Sequence, residues 1–507
     1  MNYDVIVIGA GSGGATVATR LSEDPERSIL LLEAGNDYHD LDRTPDDLKL
    51  GLGTGADFFD IDDQHNWLFT GVATPEAPPM DVPRGKVVGG TSAINGQVFL
   101  RGIPQDFEHW YSLGNSEWSY QDVLPYYRKI ETDMDFHDDF HGTEGPIIVG
   151  RHKLDSLLPD QLAFYNACLD FGFPANPDHN HPDATGVGPQ VLNNPDGIRW
   201  STAIGYLNPN RHRLNLTVRG NCTTRRILMD GKKAVGVEVE SAGEIFKVYA
   251  DEIVLSAGPI GTPHLLMLSG IGPPDQLRDV GIPIVQSVKG VGHNLRDHPA
   301  VHPTWSCRDE FPVPREGVGA QKVYLSYSSP SANIRNDMVT VMRFDNDKRH
   351  LIMTVGLYAA KSHGELRLKS KNIGVQPHLN YRYLDDVSDL ERLRDGVRLC
   401  FQLSEHSSYQ NIIKDVVTPS ASEMASDDEL DQWIRQNVTT MHHISGTCKM
   451  GPSSDDQAVV NQFGKVHGID GLRIADASIM PDCVRANTNA TTIMIGERVA
   501  DFIKERK

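Results

Sequence analysis

Hydrophobic positions recur at two different periods along this chain, and the change from one to the other marks its elements. Near the N-terminus, Val5 to Ile8 and Ile29 to Leu32 are short aliphatic runs, the pattern of strands covered on both faces. Between them small residues give way to Val17 and Leu21 at helical spacing, so the opening reads as strand, tight turn, helix, strand. From about 34 to 120 Asp, Gly and Pro are frequent and long periodic segments are few, which predicts extended loops over the first domain. DFFDIDD at 57–63 reads as a solvated acidic loop. Residues 215–258 alternate as a strand meander, with Asp230-Gly231 where a hairpin turn belongs. Further alternation in 299–385, for example GELRLKS (364–370) and QPHLNYRYL (376–384), predicts an antiparallel sheet. Leu390, Leu393, Val397, Cys400 and Phe401 then share one helical face, 427–437 reads as a short helix, and TTIMIGERVADFIKERK as a final helix with a buried side.

Composition narrows the class. The 507 residues are 39% hydrophobic and 23% charged, with 46 Gly and 30 Pro, as in ordinary globular proteins. Lys plus Arg number 48 against 68 Asp plus Glu, a net charge of −20, which argues against a nucleic-acid backbone or an anionic membrane surface as partner. No run approaches the ~18 apolar residues of a membrane span, and MNYDVIVIG enters a strand without a basic leader, so a cytoplasmic protein is expected. The six cysteines show neither a CxxC pair nor metal-ligand spacing and read as reduced thiols. HDDFH at 137–141 has residue types that bind metals, but reads as lid-loop carboxylates, and no metal is expected.

Candidate chemistry begins at the first turn. Gly9, Gly11 and Gly14 form G-x-G-x-x-G after a strand and before a helix. That context suits a pyrophosphate: the first glycine permits the turn, the second lets backbone approach the ligand, and the third allows helix and strand to pack closely. The helix N-terminus adds amides and dipole, and Glu33 ends the second strand where an acidic side chain accepts ribose hydroxyls. The motif alone does not decide between FAD and NAD. GKVVGGTSAINGQVFLRG (85–102) is a second glycine-rich stretch able to lie against a flat ring system. GPIGTPHLLMLSGIG (258–272) reads as a short helix starting at Thr262-Pro263. HHISGTCKMG (442–451) offers two histidines, the natural general bases near neutral pH, and Asn489 offers a donor amide downstream.

Together these stretches resemble the glucose-methanol-choline (GMC) flavin oxidoreductases. Residues 85–102 resemble the family's first signature through Gly89-Gly90-Thr91-Ser92 and Asn95, and 258–272 its second. HGTEGP (141–146), VGHNLRDHP (291–299) and DASIMP (476–481) are smaller family marks in the expected order. The resemblance implies a mixed α/β fold: a Rossmann-like FAD-binding domain built discontinuously from 1–150, 201–298 and 441–507, and a substrate domain from 151–200 and 299–440, on a six-stranded antiparallel sheet with flanking helices. By resemblance Gly9, Gly11, Ser12, Gly13, Gly14, Glu33, Ala34 and Thr224 hold the ADP half of FAD. Trp67, Gly90, Asn95 and Val98 face the flavin, and Asp476 and Ala477 the pyrophosphate and ribityl chain. His443 holds the catalytic histidine position, three residues before Gly446, and Asn489 its partner position.

Two departures from the family pattern matter. Ile94 stands where members with covalent FAD carry histidine, so FAD is expected to be noncovalent. Ile444, rather than the frequent proline, follows His443. The implied reaction is oxidation of an alcohol to aldehyde or ketone by hydride transfer to flavin N5, with His443 as base and oxygen or an electron carrier as final acceptor. The alternatives are a redox-silent, FAD-containing lyase of the hydroxynitrile lyase type and a nicotinamide dehydrogenase, the latter disfavoured by the two signatures. The net negative charge is a weak argument for a cationic substrate such as choline, because most carboxylates will be solvated; a primary or secondary alcohol of aromatic, polyol or sugar type is the preferred expectation.

Overall fold

Strand β1 (Asn2–Ile8), helix α1 (Ser12–Leu21) and strand β2 (Ile29–Leu32) are the opening unit that the pattern predicts. The computed structural model describes residues 2–50, 63–312 and 322–507. β1 pairs in parallel with β2 on one side and with Glu244–Leu255 on the other. Val5 to Ile8 and all of β2 are buried, because helices and loops cover both faces of this central strand pair. The sheet runs in the order Thr223–Asp230, Lys233–Ser241, Glu244–Leu255, β1, β2, Leu216–Arg219, and Leu472–Ile474 adds in parallel beside Glu244–Leu255. Thus an element within 40 residues of the C-terminus completes a sheet begun at the N-terminus.

The meander expected over 215–258 holds only from Thr223, where Asp230 and Lys233 close a hairpin over Gly231, φ +58°. Leu216–Arg219 instead lies at the opposite edge, parallel to β2. Asn215 explains this: its side-chain amide donates to the carbonyls of Ser22, Asp24 and Arg27, so the strand starts at the α1 to β2 turn. Helix Thr488–Lys504 covers α1. Their contact needs glycine, since a Cβ on Gly496 would stand 2.8 Å from the Gly13 carbonyl oxygen.

A second, antiparallel sheet runs Ile413–Thr418, Thr304–Cys307, His350–Leu357, Met338–Asp345, Val323–Tyr327, Gly186–Pro189, with Pro299–Val301 and Thr439–Thr440 attached to it. Helix Val387–Ser404, the one foreseen from Leu390 to Phe401, packs on it so closely that a Cβ on Gly396 would meet Val355 Cγ1 at 2.4 Å. Helix Asp427–Asn437 also matches its expected range, with Ser426 capping it by accepting from Glu429 N.

Three further expectations are corrected. GELRLKS and QPHLNYRYL supply strands Glu365–Arg367 and His378–Asn380, but these pair with each other outside the large sheet. They are held by loops instead, Gly364 N donating to Leu295 O and Val72 N to Leu379 O. The region to 120 is not all loop: Pro104–Ser112 is a helix whose first turn is closed by Asp106 accepting from Ile103 N. With Phe107 and Trp110 as its only buried apolar residues, it is too short to show a period. The helix foreseen at Thr262 starts at Gly258 and runs to Leu268. Of the acidic run 57–63, residues 57–62 lie outside the described residues. Among the described residues no helix is long and apolar enough to cross a membrane, and none of the six cysteines forms a disulfide.

Candidate active site

The two sheets enclose a cavity of about 970 Å³. Its dinucleotide end is shaped by glycine. Gly9, φ +93°, leaves no room for a Cβ, which would lie 2.4 Å from the Ser256 carbonyl oxygen. Gly14 packs against Gly9 O and Gly13 against Ala475 O, at 1.9 and 2.0 Å from a hypothetical Cβ. Gly11 differs: the nearest protein atom to such a Cβ is Gly90 Cα at 3.7 Å. Glycine there keeps open a space that belongs to the cavity, as a pyrophosphate cradle requires.

Glu33 is buried at the end of β2, its two carboxylate oxygens accepting from Ala10 N and Gly35 N, both at 2.9 Å. Burial pushes its pKa up to about 7 against these amides. Asp476 accepts from Gly258 N, Thr262 Oγ1 and Ser478 N. It thereby ties the N-terminus of the Gly258–Leu268 helix to the C-terminal segment. Buried polar atoms of cavity-lining residues that have no hydrogen-bond partner include Thr224 Oγ1, His264 Nε2 and Asn489 Nδ2. Orphaned polar atoms around an elongated cradle fit a polar ligand of dinucleotide size.

The other end is built on His443. Two segments nearly 150 residues apart zip together: Arg296 and Ser445 exchange N–H···O bonds at 2.9 Å, and Met441 N donates to His298 O. Asp297 sits inside this ladder. Its Oδ1 accepts from His298 N and His443 N at 2.7 and 2.8 Å, and its Oδ2 from Tyr383 Oη at 2.9 Å and from Thr440 Oγ1. Four donors and no acceptor are the surroundings of an ionised carboxylate, although burial raises its pKa. The backbone of His443 is thereby clamped.

The His443 ring has two partners. Nε2 is 2.9 Å from Asn487 Nδ2, and Nδ1 is 2.9 Å from His298 Nδ1. Asn487 Oδ1 accepts from Tyr358 Oη at 3.4 Å, which turns the amide N–H toward His443. Nε2 is then an acceptor, the His443 proton sits on Nδ1, and His298 accepts it and carries its own proton on Nε2. Burial first, then the charges of His298, His442 and Arg84, holds the His443 pKa well below its ordinary value. His442 also lines the cavity, in a left-handed conformation (φ +66°), its carbonyl accepting from Arg84 at 3.0 Å.

Of the residues singled out in the sequence, Gly9, Gly11, Ser12, Gly13, Glu33, Ala34, Trp67, Gly90, Asn95, Val98, Thr224, Asp476, Ala477, His443 and Asn489 all line this one cavity. Gly14 sits behind it, in the α1 packing. Asn489 lies apart from His443; its Oδ1 accepts from Ser12 Oγ at 2.7 Å. Asn487 is the amide on the histidine. Asp297, His298, Arg84 and Thr440 were not singled out as residues, although VGHNLRDHP contains the first two.

His141 occupies a different setting from the lid loop expected for 137–141. It is buried, with Nδ1 3.0 Å from Asp133 and 3.2 Å from Glu131, and Nε2 3.0 Å from Asp178. Glu131, Asp133 and His141 are spaced as metal ligands. Arg101, however, is ion-paired with Glu131, and Arg151 with Asp133 and Asp178, so three cations already face three carboxylates.

Family models described as GMC oxidoreductase match residues 3–300 and 360–496. The chain is 35% identical over 510 residues to an uncharacterised GMC-type oxidoreductase of Rhodococcus erythropolis, covering 99% of this chain and 98% of the other. It is 37% identical over 543 residues to an oxygen-dependent choline dehydrogenase of Yersinia pestis, covering 99% and 94%. Among solved structures, pyridoxine 4-oxidase from Mesorbium loti superimposes with a TM-score of 0.92 at 28% identity, covering 99% of each chain. A fungal aryl-alcohol oxidase (TM-score 0.86, 22% identity, 99% of each chain) shares the fold.

Proposed function

The chain belongs to the GMC oxidoreductase family, and from that premise we propose that it oxidises a primary or secondary alcohol to the aldehyde or ketone, with His443 as the base. It is an FAD-dependent oxidoreductase acting on CH–OH groups. Gly9, Gly11, Gly13 and Glu33 would hold the ADP half, Gly90, Asn95, Val98 and Ala477 the flavin half, and Ile94 offers no side chain for a covalent bond. FAD, when bound, supplies the two-electron acceptor for the carbinol hydride.

The observation that carries the reading is the placement of His443 at the cavity wall with its Nε2 2.9 Å from Asn487 Nδ2, from which we take Nε2 of a neutral imidazole as an acceptor. An alcohol reaching Nε2 gives up its hydroxyl proton there, so that no positive charge builds on the forming carbonyl. Asn487 N–H donates to the alkoxide oxygen in place of Nε2. His298 accepts the Nδ1 proton throughout, and Asp297 fixes the backbone and balances the imidazolium.

The relatives' names speak of choline, pyridoxine and aryl alcohols, which supports alcohol chemistry. Oxygen, named in the choline dehydrogenases, is the acceptor we favour. Anaerobic addition of alcohols to purified protein should bleach the visible flavin band, and air should restore it with release of peroxide. Flavin that no alcohol in a broad panel bleaches would overturn this function.

A further inference from the structure

The substrate end of the cavity is lined by cations although the chain as a whole carries −20. Strands Met338–Asp345 and His350–Leu357 are antiparallel neighbours, with Arg343 opposite Ile352 and Val341 opposite Thr354. Arg343 and Thr354 are therefore diagonal neighbours on one face, and both line the cavity. His302 joins them from the next strand connection, its Nδ1 3.0 Å from Thr354 Oγ1. Arg84, bonded to the His442 carbonyl, stands on the His443 side.

Among the described residues carboxylates are scarce on the wall at this end. Glu33 and Asp476 line the dinucleotide end and are engaged by backbone amides. The third lining carboxylate, Asp81, is an exposed residue of the strand Met80–Val82. Asp345, the countercharge acting on Arg343, lies off the cavity wall and accepts from Lys348 N. Burial together with the positive field of Arg343 holds His302 down to about 4, and burial with Arg84 and His302 holds His442 down to about 3. Both histidines are thus neutral donors or acceptors in a positive field.

Resting on the reading of this end as the site of alcohol oxidation, we propose that it recognises an anion: the substrate carries a carboxylate besides its alcohol, and Arg343 pairs with that carboxylate. Arg343 acts through its charge and its place on the wall. A guanidinium that has lost most of its water offers a planar fork that matches a carboxylate, with Thr354 and His302 beside it as further polar partners. A quaternary ammonium in the same place would face Arg343 and Arg84 on the wall, while their countercharges, Asp345 and Asp297, lie off it. The oxidation itself is the one already described, the hydride leaving the carbinol carbon and the proton going to His443, and the distant carboxylate is unchanged.

The test uses flavin-loaded enzyme and has two readouts. Binding is followed by perturbation of the flavin spectrum and by calorimetry, with benzoate and 4-formylbenzoate against benzaldehyde and choline. Anaerobic flavin reduction is followed with 4-(hydroxymethyl)benzoate and straight-chain hydroxy acids, against benzyl alcohol, the matching neutral alcohols and choline. A carboxylate-bearing alcohol is expected to exceed its neutral counterpart by about tenfold or more in kcat/KM. Arg343→Gln should abolish that preference and weaken carboxylate binding about tenfold, and Arg343→Lys should retain part of both.

Preference of the wild type for choline or for the neutral alcohols, or an equal loss on charged and neutral substrates in Arg343→Gln, overturns the proposal. Arg343-dependent carboxylate binding with no reduction by any alcohol would support the anion site and remove alcohol oxidation instead. Reduction without charge preference would do the reverse.

Discussion

His141 and His443 are both buried, yet their surroundings drive them to opposite charge states. Three carboxylates surround the His141 ring, and despite burial their hydrogen bonds lift its pKa to about 11. Among the described residues no carboxylate touches the His443 ring, whose partners are an amide and a second imidazole, and burial pushes it well below the ordinary value. One is a fixed cation inside an ionic cluster that also holds Asp133 down to about 2. The other is a base kept free of protons. Residue type supplies the ring, and the neighbours decide whether it stabilises or reacts.

The comparison breaks first at His443. Replacement by Ala should slow anaerobic flavin reduction by about a hundred- to ten-thousandfold, the usual worth of a general base, with flavin content retained. His141→Ala should do the opposite, leaving three buried carboxylates facing two guanidinium groups. Loss of one partner from such a buried ionic cluster costs about 3–5 kcal/mol, read as a fall in the denaturant midpoint, while reduction per folded, flavin-loaded molecule changes little.

Asn487→Ala should lower the reduction rate about a hundredfold, as removal of a single alkoxide donor does elsewhere. Asn489→Ala, which loses a bond to Ser12, should instead reduce flavin retention and spare the rate. This pair of variants also shows where sequence reading reached its limit. Asn487 is the N-cap of helix Thr488–Lys504 and Asn489 lies in its first turn, so two residues of separation at a helix start send the two amides to different partners. The residue types and the segment were legible, but the direction of the side chains was not.

Legibility elsewhere followed backbone demand. Gly9 and Gly14 could be read because each answers a local steric requirement, and β1, α1 and β2 because their periods are local. The clamp on His443 comes from Asp297, 146 residues away, and no local pattern announces it. The opposite-edge position of Leu216–Arg219 and the separate pairing of Glu365–Arg367 with His378–Asn380 likewise depend on long-range partners, Asn215 in the first case and loop amides in the second.

The smallest expected effect concerns stability against pH. His298, His302 and His442 have folded pKa values lowered to about 3–4. Their contribution is present above about 6.5, the unfolded value, and is lost as pH falls toward 4. His141, raised to about 11, contributes fully below about 6.5 and loses that contribution as pH rises through 11. Melting temperatures should therefore fall from pH 7 to pH 5 in the wild type, and His141→Ala should leave that acid-side slope in place. An unchanged melting temperature across that range would contradict the assignment of neutral buried histidines.

The most direct test of the central claim is the pH dependence of anaerobic flavin reduction in the wild type and in His443→Ala. A base held well below its ordinary pKa predicts a rate that is level through neutral pH and falls only on the acid side of about 6.5, and a slow variant in which that acid limb is gone. A wild-type rate that still climbs between pH 7 and pH 8, or a His443→Ala enzyme that reduces its flavin at the wild-type rate, would contradict it.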